Sequence, residues 1–171
     1  MADTINPRAT TRLACLALGA ALVAVDQATK LAALRSSFAQ KPWEVIPGYF
    51  DLVLVHNTGA AWGFMRGNNW PLFGVAVVVF VVLLAAHRQV TEGWTERYYA
   101  LAMILGGIVG NSIDRVWRGQ VVDFLDFHLG PHHWPAFNVA DSALCVGVGL
   151  VLLSSFLRKR RPPPAAEPGH E

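Results

Sequence analysis

Trp70–Ala86, WPLFGVAVVVFVVLLAA, runs for seventeen residues without one ionisable side chain. That is the length, about 17–25 residues, at which an apolar run becomes a candidate bilayer span. Three further apolar runs lie on either side of it, giving candidate spans at about 13–34, 70–86, 96–115 and 135–157, the third with a start anywhere between Trp94 and Tyr98. The composition agrees: 53% of the 171 residues are hydrophobic and 15% are charged, against roughly 25% charged in soluble domains. Four such segments as core helices of a soluble protein would leave too little polar surface to cover them. The expected fold is an all-α integral membrane protein of four transmembrane helices, forming a single domain over 1–160.

The first run also has the look of a signal peptide, with Arg8 and Arg12 ahead of it. It continues past Asp26, Gln27 and Lys30 to Leu34 and meets no small-residue cleavage site, so it reads as a retained span. Arg8 and Arg12, Arg88 and Arg97, and the tail cluster Arg158–Arg161 fall on one side of a four-span layout. The opposite loops hold Arg35, Lys41, Arg66 and Arg118, diluted over more residues. Positive charge is favoured on the cytoplasmic side, which puts both termini there. The Pro-rich tail, 161–171, is expected to be disordered in the cytoplasm. Cys15 and Cys145 fall inside apolar spans and suggest neither a disulfide framework nor a metal knuckle. No basic patch is interleaved with aromatics, so nucleic acid is not an expected partner.

The first outer loop holds two β-prone stretches, Trp43–Ile46 and Tyr49–Val55, with Pro47-Gly48 between them as a turn signal. A small β-sheet at the membrane surface is expected, followed by a short interfacial helix in 57–64 with Trp62 and Phe64 toward lipid. Trp117 and Trp134 suit the aromatic belt of the same face.

An ionisable residue within a span costs about 2.5–3.5 kcal/mol on insertion scales, so each one needs a reason. Asp26 and Lys30 are four apart on one helix face, where they can form a simple ion pair. Asn111, Asp114 and Arg115 end the third span, and Asn138, Asp141 and Ser142 open the fourth. Counting along each helix at 1.5 Å per residue, Asp26, Asn111 and Asp141 all sit roughly 9–12 Å inside the outer boundary. Scattered interhelical polar contacts would not share a depth. Asp141 has no basic neighbour in sequence, so it is either neutral or partnered from another helix. The candidate partner is Asp123, in the apolar stretch Val121–Phe124, with Asp126 as the alternative; periodicity does not separate them. Two carboxyls brought together in a low-dielectric setting share a proton and can do general acid–base work.

Zinc held by His128, His132 and His133 with Asp123 or Asp126 is the competing chemistry. The spacing matches no H-E-x-x-H helix, and loop histidines at an interface are more often plain polar residues. Ser112 and Ser142 lack a base partner. A small transporter or proton relay would need polar residues reaching the cytoplasmic half, and the inner portions of the spans read as almost purely apolar.

Five blocks together carry a resemblance. They are Asp26-Gln27-Ala28-Thr29-Lys30, Asn57-Thr58-Gly59-Ala60-Ala61-Trp62, Gly110-Asn111-Ser112-Ile113-Asp114-Arg115, Val121-Val122-Asp123-Phe124 and Phe137-Asn138-Val139-Ala140-Asp141-Ser142. In this order they resemble bacterial lipoprotein signal peptidase (signal peptidase II), an aspartic peptidase family. The resemblance implies Asp123 and Asp141 as the catalytic pair. It also implies Asn57, Asn111, Arg115 and Asn138 as residues shaping the site and holding substrate backbone, and Asp26 and Lys30 as a pair supporting fold and site. It further implies a diacylglyceryl-prolipoprotein substrate cut just before its lipidated cysteine, no cofactor or metal, and globomycin-type inhibition. The expected protein is a monomer in the bacterial cytoplasmic (inner) membrane, in contact with membrane lipid, its active site near the outer face.

Overall fold

The computed structural model describes residues 7–59, 67 and 69–159. Five helices and four strands follow in the order α1 (Pro7–Arg35), β1 (Trp43–Ile46), β2 (Phe50–Asn57), α2 (Asn69–Ala85), α3 (His87–Thr91), α4 (Thr95–Trp117), β3 (Val121–Leu129), β4 (His132–His133) and α5 (Val139–Lys159). A single 3₁₀ turn, Ser37–Ala39, links α1 to β1.

The helices display apolar side chains outward. Leu13, Leu16, Val78, Val82, Leu152 and Phe156 are all more than half exposed, and α2 buries no residue at all. In water such faces would be an aggregation liability; in lipid they are the solvent-matched surface. Two helices, Thr11–Arg35 and Val139–Arg158, are long and apolar enough to cross a membrane. Asn69–Ala85 is apolar but shorter, at 17 residues, and α4 carries Glu96, Arg97, Asn111, Asp114 and Arg115 within its 23 residues. Membrane insertion with at least two spanning helices therefore stands.

α4 is the central helix, packed mainly against α5 and α1. Its glycines permit the close approach. A Cβ on Gly107 would stand 2.5 Å from the Ala140 carbonyl, and one on Gly110 would stand 2.7 Å from Asp26 Oδ2. Small residues let backbones meet closely where no hydrophobic drive between helices exists.

The sheet differs from expectation. The sequence suggests two strands within the first outer loop, but the sheet is four-stranded and antiparallel, in the order β1-β2-β3-β4. β2 pairs with β3, from the segment between α4 and α5, with Phe50 opposite Phe127, Asp51 opposite Asp126 and Asn57 opposite Val121. A bulge falls between Leu52 and Val55. β3 escaped notice because Val121–Phe124 are buried on both faces, so no period-2 alternation shows. Phe137 then hydrogen-bonds with Leu125 in both directions, at 2.9 and 3.0 Å, and so fixes where α5 begins. The expected interfacial helix and the Pro-rich tail lie largely outside the described residues.

A second difference concerns the helix ends away from the sheet, where the sequence predicts almost purely apolar residues. Arg97 is buried at 3% exposure and donates to Ser154 Oγ at 3.0 Å, while Ser154 donates to Glu96 and Glu96 accepts from Arg158 Nε at 3.0 Å. The inner portions are thus not wholly apolar. This cluster is separated from Asn111 by fourteen residues of α4, about 21 Å of helix, through Leu101, Ile104 and Ile108.

Candidate active site

α5 begins with a reciprocal cap. The Asn138 side-chain oxygen accepts from the Asp141 backbone N–H at 3.0 Å, and Asp141 Oδ2 accepts from the Asn138 N–H at 3.3 Å. This Asn-x-x-Asp arrangement satisfies two helix-end donors and fixes the Asp141 carboxylate at the helix N-terminus. The other oxygen, Oδ1, accepts from Asn111 Nδ2 of α4 at 2.7 Å.

Asp123, on β3, is 1% exposed. Its Oδ1 accepts from Asn138 Nδ2 at 2.7 Å and its Oδ2 from Asn57 Nδ2 of β2 at 2.9 Å. Asn138 therefore touches both acids, the one through its amide N–H and the other through its carbonyl. Asn57 also accepts from the Gly59 N–H at 2.9 Å, which ties the end of β2 to the carboxylate. Burial first, and the neighbouring Asp141 carboxylate second, push the Asp123 carboxyl up to about 6.

Next to this pair lies an ionic cluster whose core, Asp26, Lys30 and Asp114, is fully buried. Lys30 Nζ is 2.9 Å from Asp26 Oδ2, 2.9 Å from Asp114 Oδ2 and 2.9 Å from Asn111 Oδ1, which uses all three ammonium donors. Asp26 Oδ1 in turn accepts from the Ala140 N–H at 2.9 Å, capping α5 from α1. Asp114 Oδ2 accepts from the Val122 N–H at 3.1 Å, and its other oxygen contacts Arg118. Gln27 bridges Asp26 and Asp114, donating at 3.1 Å to each.

The eight site residues that the resemblance implies, Asp26, Lys30, Asn57, Asn111, Arg115, Asp123, Asn138 and Asp141, are thus found around one locus. Asp26 and Lys30 do form an ion pair, but a larger one than two residues. By position alone Asp114 is a helix-end charge and Arg118 a loop charge, yet both join this cluster, and Gln27, which carries no charge signal in the sequence, bridges it. Arg115 is half-buried and donates to the Gly59 carbonyl at 3.1 Å, so it secures the chain leaving β2. Asn69, at the start of α2, donates to the Arg115 carbonyl at 2.9 Å.

Asp126 and the histidines stand apart from the pair. His133 meets Asp126 at 2.9 Å, His128 lies 3.4 Å from Asp51, and the two imidazoles stack at 4.6 Å. His132 is exposed. Among the described residues, no three His, Cys, Asp or Glu side chains converge as a metal site.

Two carboxyls that share Asn138 as a partner, at one end of a helical membrane bundle, have the make-up expected of a membrane-embedded hydrolase of the aspartic type. The comparisons narrow the class. The family model described as signal peptidase (SPase) II matches residues 18–157. A lipoprotein signal peptidase of Syntrophotalea carbinolica is 46% identical over 144 residues, 82% of this chain and 89% of that protein. One from Azoarcus sp. is 45% identical over 168 residues, covering 94% and 92%. A solved structure described as a bacterial membrane enzyme determined in meso matches with a TM-score of 0.79 at 28% identity, over 92% of this chain and 94% of that one. A second of the same description gives 0.74 at 30% identity, over 86% and 94%. The chain belongs to the signal peptidase II family of aspartic endopeptidases.

Proposed function

We propose that Asp123 and Asp141 are the catalytic pair with which this peptidase cuts diacylglyceryl-modified prolipoproteins just before the lipidated cysteine. The observation that carries the reading is the shared hold of Asn138 on both acids, with Asn57 and Asn111 each occupying a further carboxylate oxygen. One carboxylate takes a proton from water as its oxygen attacks the scissile carbonyl, and the protonated partner donates to the carbonyl oxygen. Collapse of the resulting gem-diol transfers a proton to the departing amine and breaks the C–N bond, leaving the cysteine amino group free.

Asn57 and Arg115 sit where the end of β2 enters the site, and both suit a role in holding substrate backbone. In a four-span arrangement with both termini cytoplasmic, the carboxylate pair would lie near the outer face, at the depth where two acyl chains hold the substrate. A monomer suffices, since both acids come from one chain, and a globomycin-type inhibitor would occupy the same locus.

The test is cleavage of a diacylated lipobox peptide by purified protein. Asp123→Asn and Asp141→Asn should each abolish turnover while keeping the folded, inserted state, because an amide preserves the shape but cannot exchange the proton. A precursor with serine in place of the lipobox cysteine should be processed only at background. Near-normal turnover by either variant would reject the pair, and equal cleavage of the unlipidated precursor would reject the substrate.

A further inference from the structure

At the end of the bundle opposite the carboxylate pair, α1, α3 and α4 enclose a cavity of about 490 Å³. Its wall carries Arg12, Arg88, Thr91, Thr95 and Tyr98, and Gly93 lies on the turn that closes it. We infer that this cavity binds a phosphate-bearing anion, with the headgroup of an anionic phospholipid as its source in the membrane.

Three observations carry the inference. The first is charge without compensation: among the described residues, neither the Arg12 nor the Arg88 guanidinium has an acidic partner. Glu92 is next to Thr91 in sequence, yet its carboxylate is engaged by Arg97 at 3.0 Å and does not line the wall. The second is a donor without an acceptor. Thr91 is 0% exposed and its Oγ1 has no hydrogen-bond partner among the described residues. A buried hydroxyl left in that state is costly, and an anionic oxygen would satisfy it.

The third observation is position. The left-handed Glu92 (φ 46°) and Gly93 (φ 78°) turn the chain sharply from α3 into α4. Trp94 follows, with the Arg158 guanidinium stacked 3.1 Å from its ring centroid. An exposed tryptophan with a cation on its face is characteristic of headgroup level. Arg12 and Lys30 are eighteen residues apart on α1, about 27 Å of helix, so the cavity and the carboxylate site belong to opposite membrane surfaces. Basic pockets between helices at such a surface attract acidic headgroups.

The test uses the full chain in phosphatidylcholine nanodiscs with and without phosphatidylglycerol, followed by release into native mass spectrometry. Wild type should retain phosphatidylglycerol. The double variant R12Q/R88Q should retain it about 30-fold less, at the usual strength of two juxtamembrane arginines. R160Q/R161Q removes the same net charge from the tail and should retain lipid as wild type does; equal loss in both double variants would reduce the site to general charge attraction and overturn it. T91V, which keeps the shape and removes the orphan hydroxyl, should also bind more weakly, and wild-type retention by T91V would overturn the site even if R12Q/R88Q fails to fold. In a separate arm, inorganic phosphate is added to lipid-free protein in detergent. A rise in Tm for wild type that R12Q/R88Q lacks would support the site with a soluble source of the same anion. If neither phosphatidylglycerol nor phosphate distinguishes wild type from R12Q/R88Q, the inference fails. Cleavage of the lipidated peptide in detergent should be unchanged in all these variants, which separates this site from the catalytic reading.

Discussion

Lys30→Met is the most informative single change, because the ammonium has three partners and no exposed surface. Its neighbours Asp26, Asp114 and Asn111 each lie 2.9 Å from Nζ. Lys30 and Arg118 balance Asp26 and Asp114, so the cluster is formally neutral. Methionine fills a similar volume and leaves two buried carboxylates with one guanidinium, which contacts Asp114 and not Asp26. Removing one partner of a buried ion pair typically costs about 3–5 kcal/mol, against roughly 5–15 kcal/mol for a whole domain. For a chain of this size the loss corresponds to a fall in Tm of roughly 10–15 °C. Adding Asp26→Asn restores neutrality and keeps an acceptor for the Ala140 N–H, so the double variant should recover about 1–3 kcal/mol. Turnover should stay depressed in the double variant, on the order of 10–100-fold, because Asn111 loses the 2.9 Å Lys30 donor to its carbonyl, keeps only the 3.2 Å contact from Asn138 Nδ2, and so holds Asp141 less firmly. The measurements are tryptophan-monitored unfolding in one detergent and single-turnover cleavage. A Lys30→Met variant that melts with wild type, or a double variant no more stable than the single, would refute the account of the cluster.

With Asp123 raised to about 6 by burial first and by Asp141 second, against roughly 3.9 in an unfolded chain, the folded state holds a proton that the unfolded state releases. Stability should therefore fall as pH rises from about 4 to about 6, and Asp123→Asn should flatten that limb of the Tm profile; an unchanged slope would count against a buried, protonated Asp123. Activity is expected to survive EDTA, and the combined change of His128, His132 and His133 to Ala should leave substantial turnover, since His128 and His133 face Asp51 and Asp126 rather than the pair; a chelation loss restored by zinc would point to a metallopeptidase. Reporter fusions after Arg88 and Arg161 should read as cytoplasmic and those near Phe50 and Leu129 as external, and one inverted result would break the four-span arrangement.

The helices were legible because lipid imposes a simple rule, long apolar runs, on residues such as those of 70–86. The convergence of Asp26, Asn111 and Asp141 on one level of the bundle was legible too, since helical rise converts position into distance. What the spacing did not reveal was β3. Buried on both faces between β2 and the helix ends, Val121–Phe124 lost the alternation that marks a half-exposed strand. Periodicity therefore left Asp123 and Asp126 equal, although the strand points Asp123 toward Asn138 and Asp126 toward His133. Asp114 and Arg118 looked like surface charge because their partners, Lys30 and Gln27, lie more than eighty positions away. Two signals were present and unused. Asn138-x-x-Asp141 is a capping-box pattern, and Gly106-x-x-x-Gly110 marks a close helix contact.

The separation of the ionic cluster from the proposed catalytic pair has a physical reason. An ammonium in direct contact with a carboxyl favours its ionised form, and a pair in which both members ionise loses the proton that acid–base catalysis passes between them. Asn111 is interposed: its oxygen takes the Lys30 ammonium and its nitrogen holds Asp141. Asn138 and Asn57 hold Asp123 in the same way, through neutral donors. The amides pass on orientation but not a full unit of charge. The charges themselves are spent one layer further back, where Asp26 fastens α1 to the first turn of α5 and Asp114 fastens α4 to the start of β3. These are the two elements that carry Asp141 and Asp123. The cluster thus sets the distance between the acids through the backbone, and the amides set the aim of each carboxylate, so that rigidity and proton sharing do not compete for the same contacts.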